Sequence, residues 1–181
     1  MSDSIQQKTT SATINKLRAA VLGANDGIVS TASVVMGVAG ATTDSRTLLT
    51  AGMAALVAGA LSMAVGEYVS VSSQRDAEKA NARHDETHDG DFTSPWAAAI
   101  ASLVAFTIGG AVPFLAVVIA PEDSRIFVTV VAVTIALIAT GYGSARVGNA
   151  SKRRAILRVV VGGLIAMAIT YFIGTVFGSL L

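Results

Sequence analysis

Between Trp96 and Ala120 the chain reads WAAAIASLVAFTIGGAVPFLAVVIA, without a single charged residue, and it is framed by Ser94-Pro95 before and Pro121 after. A run of this length is too long for a β-strand and matches the roughly 20 apolar residues a helix needs to cross a bilayer. Four further stretches of the same kind surround it: Leu17–Ala41, Leu48–Ser72, Ile126–Val147 and Ala155–Leu181. The third, fourth and fifth together hold only Arg146 and Arg158 as charges, each close to an end. Buried helices of a soluble bundle would carry polar faces instead, so the pattern predicts an all-α integral membrane protein with five transmembrane helices.

Composition agrees. Of 181 residues, 52% are hydrophobic and only 14% charged, with a mean hydropathy of +0.63, whereas soluble domains carry about 25% charged residues. The chain has no cysteine, which excludes disulfide frameworks, thiolate metal sites and cysteine nucleophiles. A net charge of +1 argues against a nucleic-acid partner. No nucleophile–base pair, phosphate-cradling glycine loop or zinc motif points to an enzyme.

Orientation follows from where the cations fall, because Lys and Arg accumulate in cytoplasmic loops close to span ends. Lys8, Lys16 and Arg18 precede or open the first span, Arg75, Lys79 and Arg83 follow the second, and Arg146, Lys152, Arg153, Arg154 and Arg158 flank the junction of the fourth and fifth. The opposite side has only Arg46 and Arg125. The N-terminus is therefore expected in the cytosol and, after five spans, the C-terminus outside. Residues 1–16, polar and without a signal-peptide pattern, read as a flexible cytoplasmic tail ahead of the five-helix domain of residues 17–181. The lack of a targeting pattern favours a bacterial inner membrane. Residues 73–95 form the one longer connection, whose first part, Gln74–Arg83, has the composition of a helix extension before Asp89, Gly90, Asp91 and Ser94-Pro95 break it.

Two carboxylates fall inside the apolar spans, Asp26 in LGANDGIVS and Glu67 in LSMAVGEYVS. An ionisable group at such depth costs about 2.5–3.5 kcal/mol on insertion scales and is a functional candidate for that reason. With a rise of about 1.5 Å per residue, Asp26 lies about 14 Å from the cytoplasmic end of its helix, Met63 about 15 Å and Glu67 about 9 Å from theirs. Asp26, Met63 and Glu67 thus share a layer, and Met63 and Glu67, four residues apart, share a helix face. Two carboxylates supply hard, charged oxygen, and a thioether adds a soft ligand that favours iron(II) or manganese(II) over magnesium or calcium. Carboxylates in an apolar layer hold protons until a cation replaces them, which is the chemistry of a proton-coupled exchanger. Each residue also has a purely structural reading: Met63 as packing or lipid-facing, Glu67 snorkelling to the inner interface or paired with Arg75, and Asp26 capping a helix break at Gly23 and Gly27.

Weaker features accompany these. Ala54, Ala58, Ser62 and Gly66 on the second helix, and Gly174 and Gly178 on the fifth, have the four-residue spacing of close helix packing. Lys152, Arg153 and Arg154 suit either topology or anionic lipid. In the longer connection His84 and His88 are one helical turn apart among Glu78, Asp85, Glu86, Asp89 and Asp91. His84, His88, Glu78 and Glu86 form a candidate metal-docking group, which an exposed polar linker explains equally well.

The strings LRAAVLGANDGIVSTASVVMGVAGA (residues 17–41) and AGMAALVAGALSMAVGEYVSVSSQRDAEKA (residues 51–80) resemble the first two membrane helices of the vacuolar iron transporter family, which includes the yeast calcium-cross-complementer and plant nodulin-like proteins. SPWAAAIASLVAFTIGGAVPFL (residues 94–115) is similar to that family's third helix. The resemblance implies a five-helix subunit working as a homodimer, with the metal path at the dimer interface, that exports iron(II), and often manganese(II), from the cytosol in exchange for protons. The metal is then cargo, with no permanent cofactor. The family's essential aspartate matches Asp26 and its methionine matches Met63. The glutamate that many members place ahead of that methionine matches Ala55, while Glu67 stands where nodulin-like and many bacterial relatives have it. The cytoplasmic metal-binding domain of well-studied members is absent between the second and third spans. From the residues, the alternative to transport is a static metal sensor or membrane assembly protein using the same ligands.

Overall fold

The computed structural model describes residues 2–82 and 93–180, with side chains for residues 17–80 and 93–180. It is all-helical: α1 (Ser2–Ala41), α2 (Ser45–Ala82), α3 (Pro95–Ile119), a 3₁₀ turn (Glu122–Ser124), α4 (Arg125–Val147) and α5 (Lys152–Gly178). All five helices are long and apolar enough to cross a membrane. The polar residues ahead of Leu17, expected as a tail, have helical backbone from Ser2 and run straight into the first span. α2 likewise continues past its apolar part to Ala82.

Helix ends are set by local chemistry. Asp44 caps α2, its carboxylate accepting from the Thr47 amide at 2.8 Å while its carbonyl accepts from the Leu48 amide at 3.1 Å. Ser94 caps α3 by accepting from the Ala97 amide at 3.4 Å, with Pro95 in the first turn, where its missing N–H costs nothing. α4 ends in a Schellman-type turn, in which the Ala150 amide reaches back to the Ala145 carbonyl at 2.9 Å and Asn149 takes the left-handed φ of 47°.

α1 is the central helix and touches all four others. Around it α2 meets α3, α3 meets α4 and α4 meets α5, but among the described residues α2 and α5 do not meet. The ring is open there, and one flank of α1 stays uncovered. Close approach along α1 is made by glycine. A Cβ on Gly23 would lie 2.7 Å from the Ser102 carbonyl oxygen of α3, and one on Gly27 would overlap the Phe106 carbonyl. On the α5 side, Gly40 lies against Tyr171 and Gly174, and a Cβ on Gly178 would be 2.6 Å from Ala41 Cα. Without a hydrophobic driving force between helices in lipid, such backbone contact supplies the packing.

Three apolar clusters fill the inside. Ile28, Ala32 and Met36 of α1 pack with Val133, Leu137 and Met167 of α4 and α5. Leu56 and Ala60 of α2 pack with Phe106 and Phe114 of α3, and Val35, Leu48 and Val117 join α1, α2 and α3. Ile108, Phe127, Ile135, Phe172 and Phe177 point outward and exposed, a surface matched to lipid and not to water. The protein is an integral membrane protein. Arg125 is the buried charge among the described residues, 7% exposed, donating from Nη1 to the Thr43 carbonyl at 3.1 Å and from Nη2 to Ser45 Oγ at 2.8 Å. It staples the start of α4 to the α1–α2 connection.

Candidate metal site

Asp26 lies on the uncovered flank of α1. Leu22, one turn before it, is exposed on the same side. The glycines on either side of Asp26 do not open a break, as the capping reading expected, because α1 is continuous from Ser2 to Ala41. They serve close packing instead. With Gly23 and Gly27 pressed on α3, Asp26 is left on the open side of α1, within the span and exposed.

Met63 lies on α2, across Phe106 from α1. It is half-buried against the cluster of Leu56, Ala60, Phe106 and Phe114. Gly59, one turn before Met63, abuts the Phe106 ring, while Gly27, next to Asp26, abuts the Phe106 carbonyl. One α3 residue therefore sets the register of α1 and α2. This spacer was not legible in the sequence, where Phe106 reads as one apolar residue among many; the only trace is a large side chain opposed to two glycines on other helices.

Glu67 is half-buried one turn further along α2. No ion pair joins it to Arg75, one of the two structural readings, and Arg75 Nε is itself buried without a hydrogen-bond partner. The neighbouring Tyr68 packs on Trp96 with ring centroids 4.9 Å apart, fastening α2 to the start of α3. Among the described residues no three acidic or histidine side chains converge in a single protomer.

The docking group in the connection divides. His84, His88 and Glu86 lie outside the described residues. Glu78 is engaged: its Oε2 accepts from the Thr93 amide and hydroxyl, both at 3.2 Å, and its Oε1 accepts from Gln74 Nε2 at 3.0 Å. Oε2 thus fastens the extension of α2 to the residue before the α3 cap, while Oε1 is held within α2.

Comparison with known sequences adds the family. Vacuolar iron transporter homolog 4 of Arabidopsis thaliana is 49% identical over 167 residues, 90% of this chain and 84% of that protein. Homolog 5 of Oryza sativa subsp. japonica is 48% identical over 162 residues, 87% of this chain and 78% of the relative. Homolog 2 of the same species is 41% identical over 173 residues, 91% and 92% of the two chains. A sequence profile described as the VIT family matches residues 17–89 and 83–175. Matched along nearly its whole length by that profile and by relatives this similar, the chain belongs to the VIT family.

Proposed function

We propose that this protein transports iron(II), with manganese(II) as a second cargo, out of the cytosol in exchange for protons, in the bacterial inner membrane expected from the sequence. The observation that carries the proposal is the placement of Asp26: an acidic side chain within the first span, on a flank of the central helix that no other described helix covers. Relatives named as vacuolar iron transporter homologs support iron as the cargo. The ligand chemistry of Asp26, Met63 and Glu67 supports a transition metal, since carboxylate oxygen neutralises the cation and thioether sulfur favours a softer ion.

One protomer offers too few ligands for a cage. A two-fold dimer closing over the open flank of α1 would bring two copies of Asp26 and Met63 to one axis and cover a carboxylate otherwise costly in lipid. The small-residue row Ala54, Ala58, Ser62 and Gly66 supports this face: all four are exposed, and a Cβ on Gly66 would meet nothing within 4 Å. In that dimer protons on the carboxylates leave as metal binds and return after its release, which couples the two flows. The distribution of Lys and Arg supports an N-terminus in the cytosol.

The test is uptake of iron(II) and of manganese(II) by proteoliposomes with and without an imposed proton gradient, using wild type and Asp26→Asn. Gradient-dependent uptake is expected in wild type, falling to the rate of protein-free vesicles in the variant, with metal-driven proton movement lost in parallel. Tight metal binding without flux in correctly inserted wild-type protein would overturn transport in favour of a static sensor. Flux indifferent to the gradient would overturn the exchange.

A further inference from the structure

At the turn between α4 and α5 five cations gather without an anion. Arg146 and Lys152 both stand over the ring of Tyr142, the guanidinium carbon at 5.8 Å and the ammonium at 5.0 Å from its centroid. Lys152, Arg153 and Arg154 form the first turn of α5, which has no acidic residue and whose cap residue, Ser151, makes no side-chain cap hydrogen bond. Arg154 and Arg158 stand four residues apart on one face. Arg146, Lys152, Arg153, Arg154 and Arg158 are all exposed, and among the described residues no carboxylate pairs with any of them.

Two of these relations work against the folded chain. Cations at a helix N-terminus oppose the helix dipole, and like charges four residues apart repel. Topology asks only that basic residues lie near the span ends; it does not ask that two of them share one ring or that three occupy a helix's first turn. An anion at this place reverses the sign of every term, because guanidinium and ammonium groups and unpaired first-turn amides are all phosphate donors. Directly below the cations the face of α5 becomes apolar: Arg154, Arg158, Val161 and Ile165 lie along one stripe, with Val161 44% and Ile165 54% exposed. Beside them Gly162 leaves a notch, since a Cβ there would meet nothing within 4 Å. Phosphate donors above and an apolar, notched face below match a headgroup and an acyl chain.

We propose that the α4–α5 turn is a binding site for an anionic phospholipid, its phosphate held by Arg153, Arg154, Arg158 and Lys152 and its acyl chain lying along Val161, Gly162 and Ile165. Tyr142 positions the two flanking cations.

The experiment titrates phosphatidylglycerol or phosphatidylcholine of the same acyl chains into delipidated full-length protein in detergent and reads the thermal midpoint, with bound lipid counted by native mass spectrometry. Phosphatidylglycerol is expected to give a saturable rise on the order of 5 °C, from mass action at high occupancy, with one retained lipid per protomer, while phosphatidylcholine gives neither. Arg153→Gln/Arg154→Gln/Arg158→Gln is expected to lose both the rise and the retained lipid, and the corresponding triple Lys variant to keep most of them. Equal responses to the two lipids, or a phosphatidylglycerol response unchanged in the Gln variant, would overturn the site. An equal rise with inorganic phosphate alone would overturn the lipid as its occupant.

Discussion

Asp44 shows how much a single exposed side chain can fix. The side chain and then the backbone of Thr47 donate to its carboxylate, at 2.6 and 2.8 Å, and hold its carboxyl below the usual 3.8. A group whose pKa is depressed by folding stabilises the fold above its unfolded value and loses that contribution as pH falls through the folded value. Asp44→Ala is therefore expected to lower the thermal midpoint at pH 7, and the gap between variant and wild type should close as pH drops below about 4. A gap of unchanged size at pH 3 would show that the cap does not act through its charge. The carboxylates inside the spans, Asp26 and Glu67, were legible as candidates because a charge among apolar neighbours is costly wherever it sits in space. Arg125 was not. In the sequence it is only a cation on the sparse side, whereas its buried position depends on Thr43 and on Ser45, which is 80 residues away.

The helices themselves are distinguished by how near their backbones come. A Cβ on Gly174 would overlap the Gly37 carbonyl oxygen and lie 3.3 Å from the Ala41 amide nitrogen. These are backbone atoms that no rotamer change can move, so α1 and α5 must part. Gly174→Ala is expected to destabilise the protein by about 1–3 kcal/mol, the usual range for overpacking, read as a lowered thermal midpoint in detergent. Gly143→Ala is the control: nothing lies within 4 Å of its Cβ position, and the helix gains from alanine's higher propensity, by up to about 1 kcal/mol. If both variants behave alike, close packing of α1 on α5 is not what holds α5 in place. The two small-residue rows looked equivalent in sequence. The row on α5 is used within the protomer, through Gly174 and Gly178 on α1, whereas that on α2 faces outward.

For the protein as an assembled object, the open side of the ring is the feature with the largest consequence. If a second copy covers it, a bulky residue in the outward row of α2 should separate the copies without unfolding either. Ala58→Trp is expected to leave helical content unchanged and to convert a dimer to a monomer by light scattering in detergent, with loss of metal uptake in proteoliposomes. A dimer that survives this variant would place the contact elsewhere. The number of helices, their approximate limits and the residues whose charge demands an explanation all follow from composition read along the chain, because the cost of moving a side chain into hydrocarbon is local and close to additive. Which flank of α1 stays uncovered, which glycines touch which backbone, that Phe106 stands between Gly27 and Gly59, and that Glu78 is occupied by Thr93 are relations between distant residues. They depend on how five interchangeable-looking apolar helices are arranged around one another, and hydropathy, being nearly the same on all of them, carries no record of that arrangement.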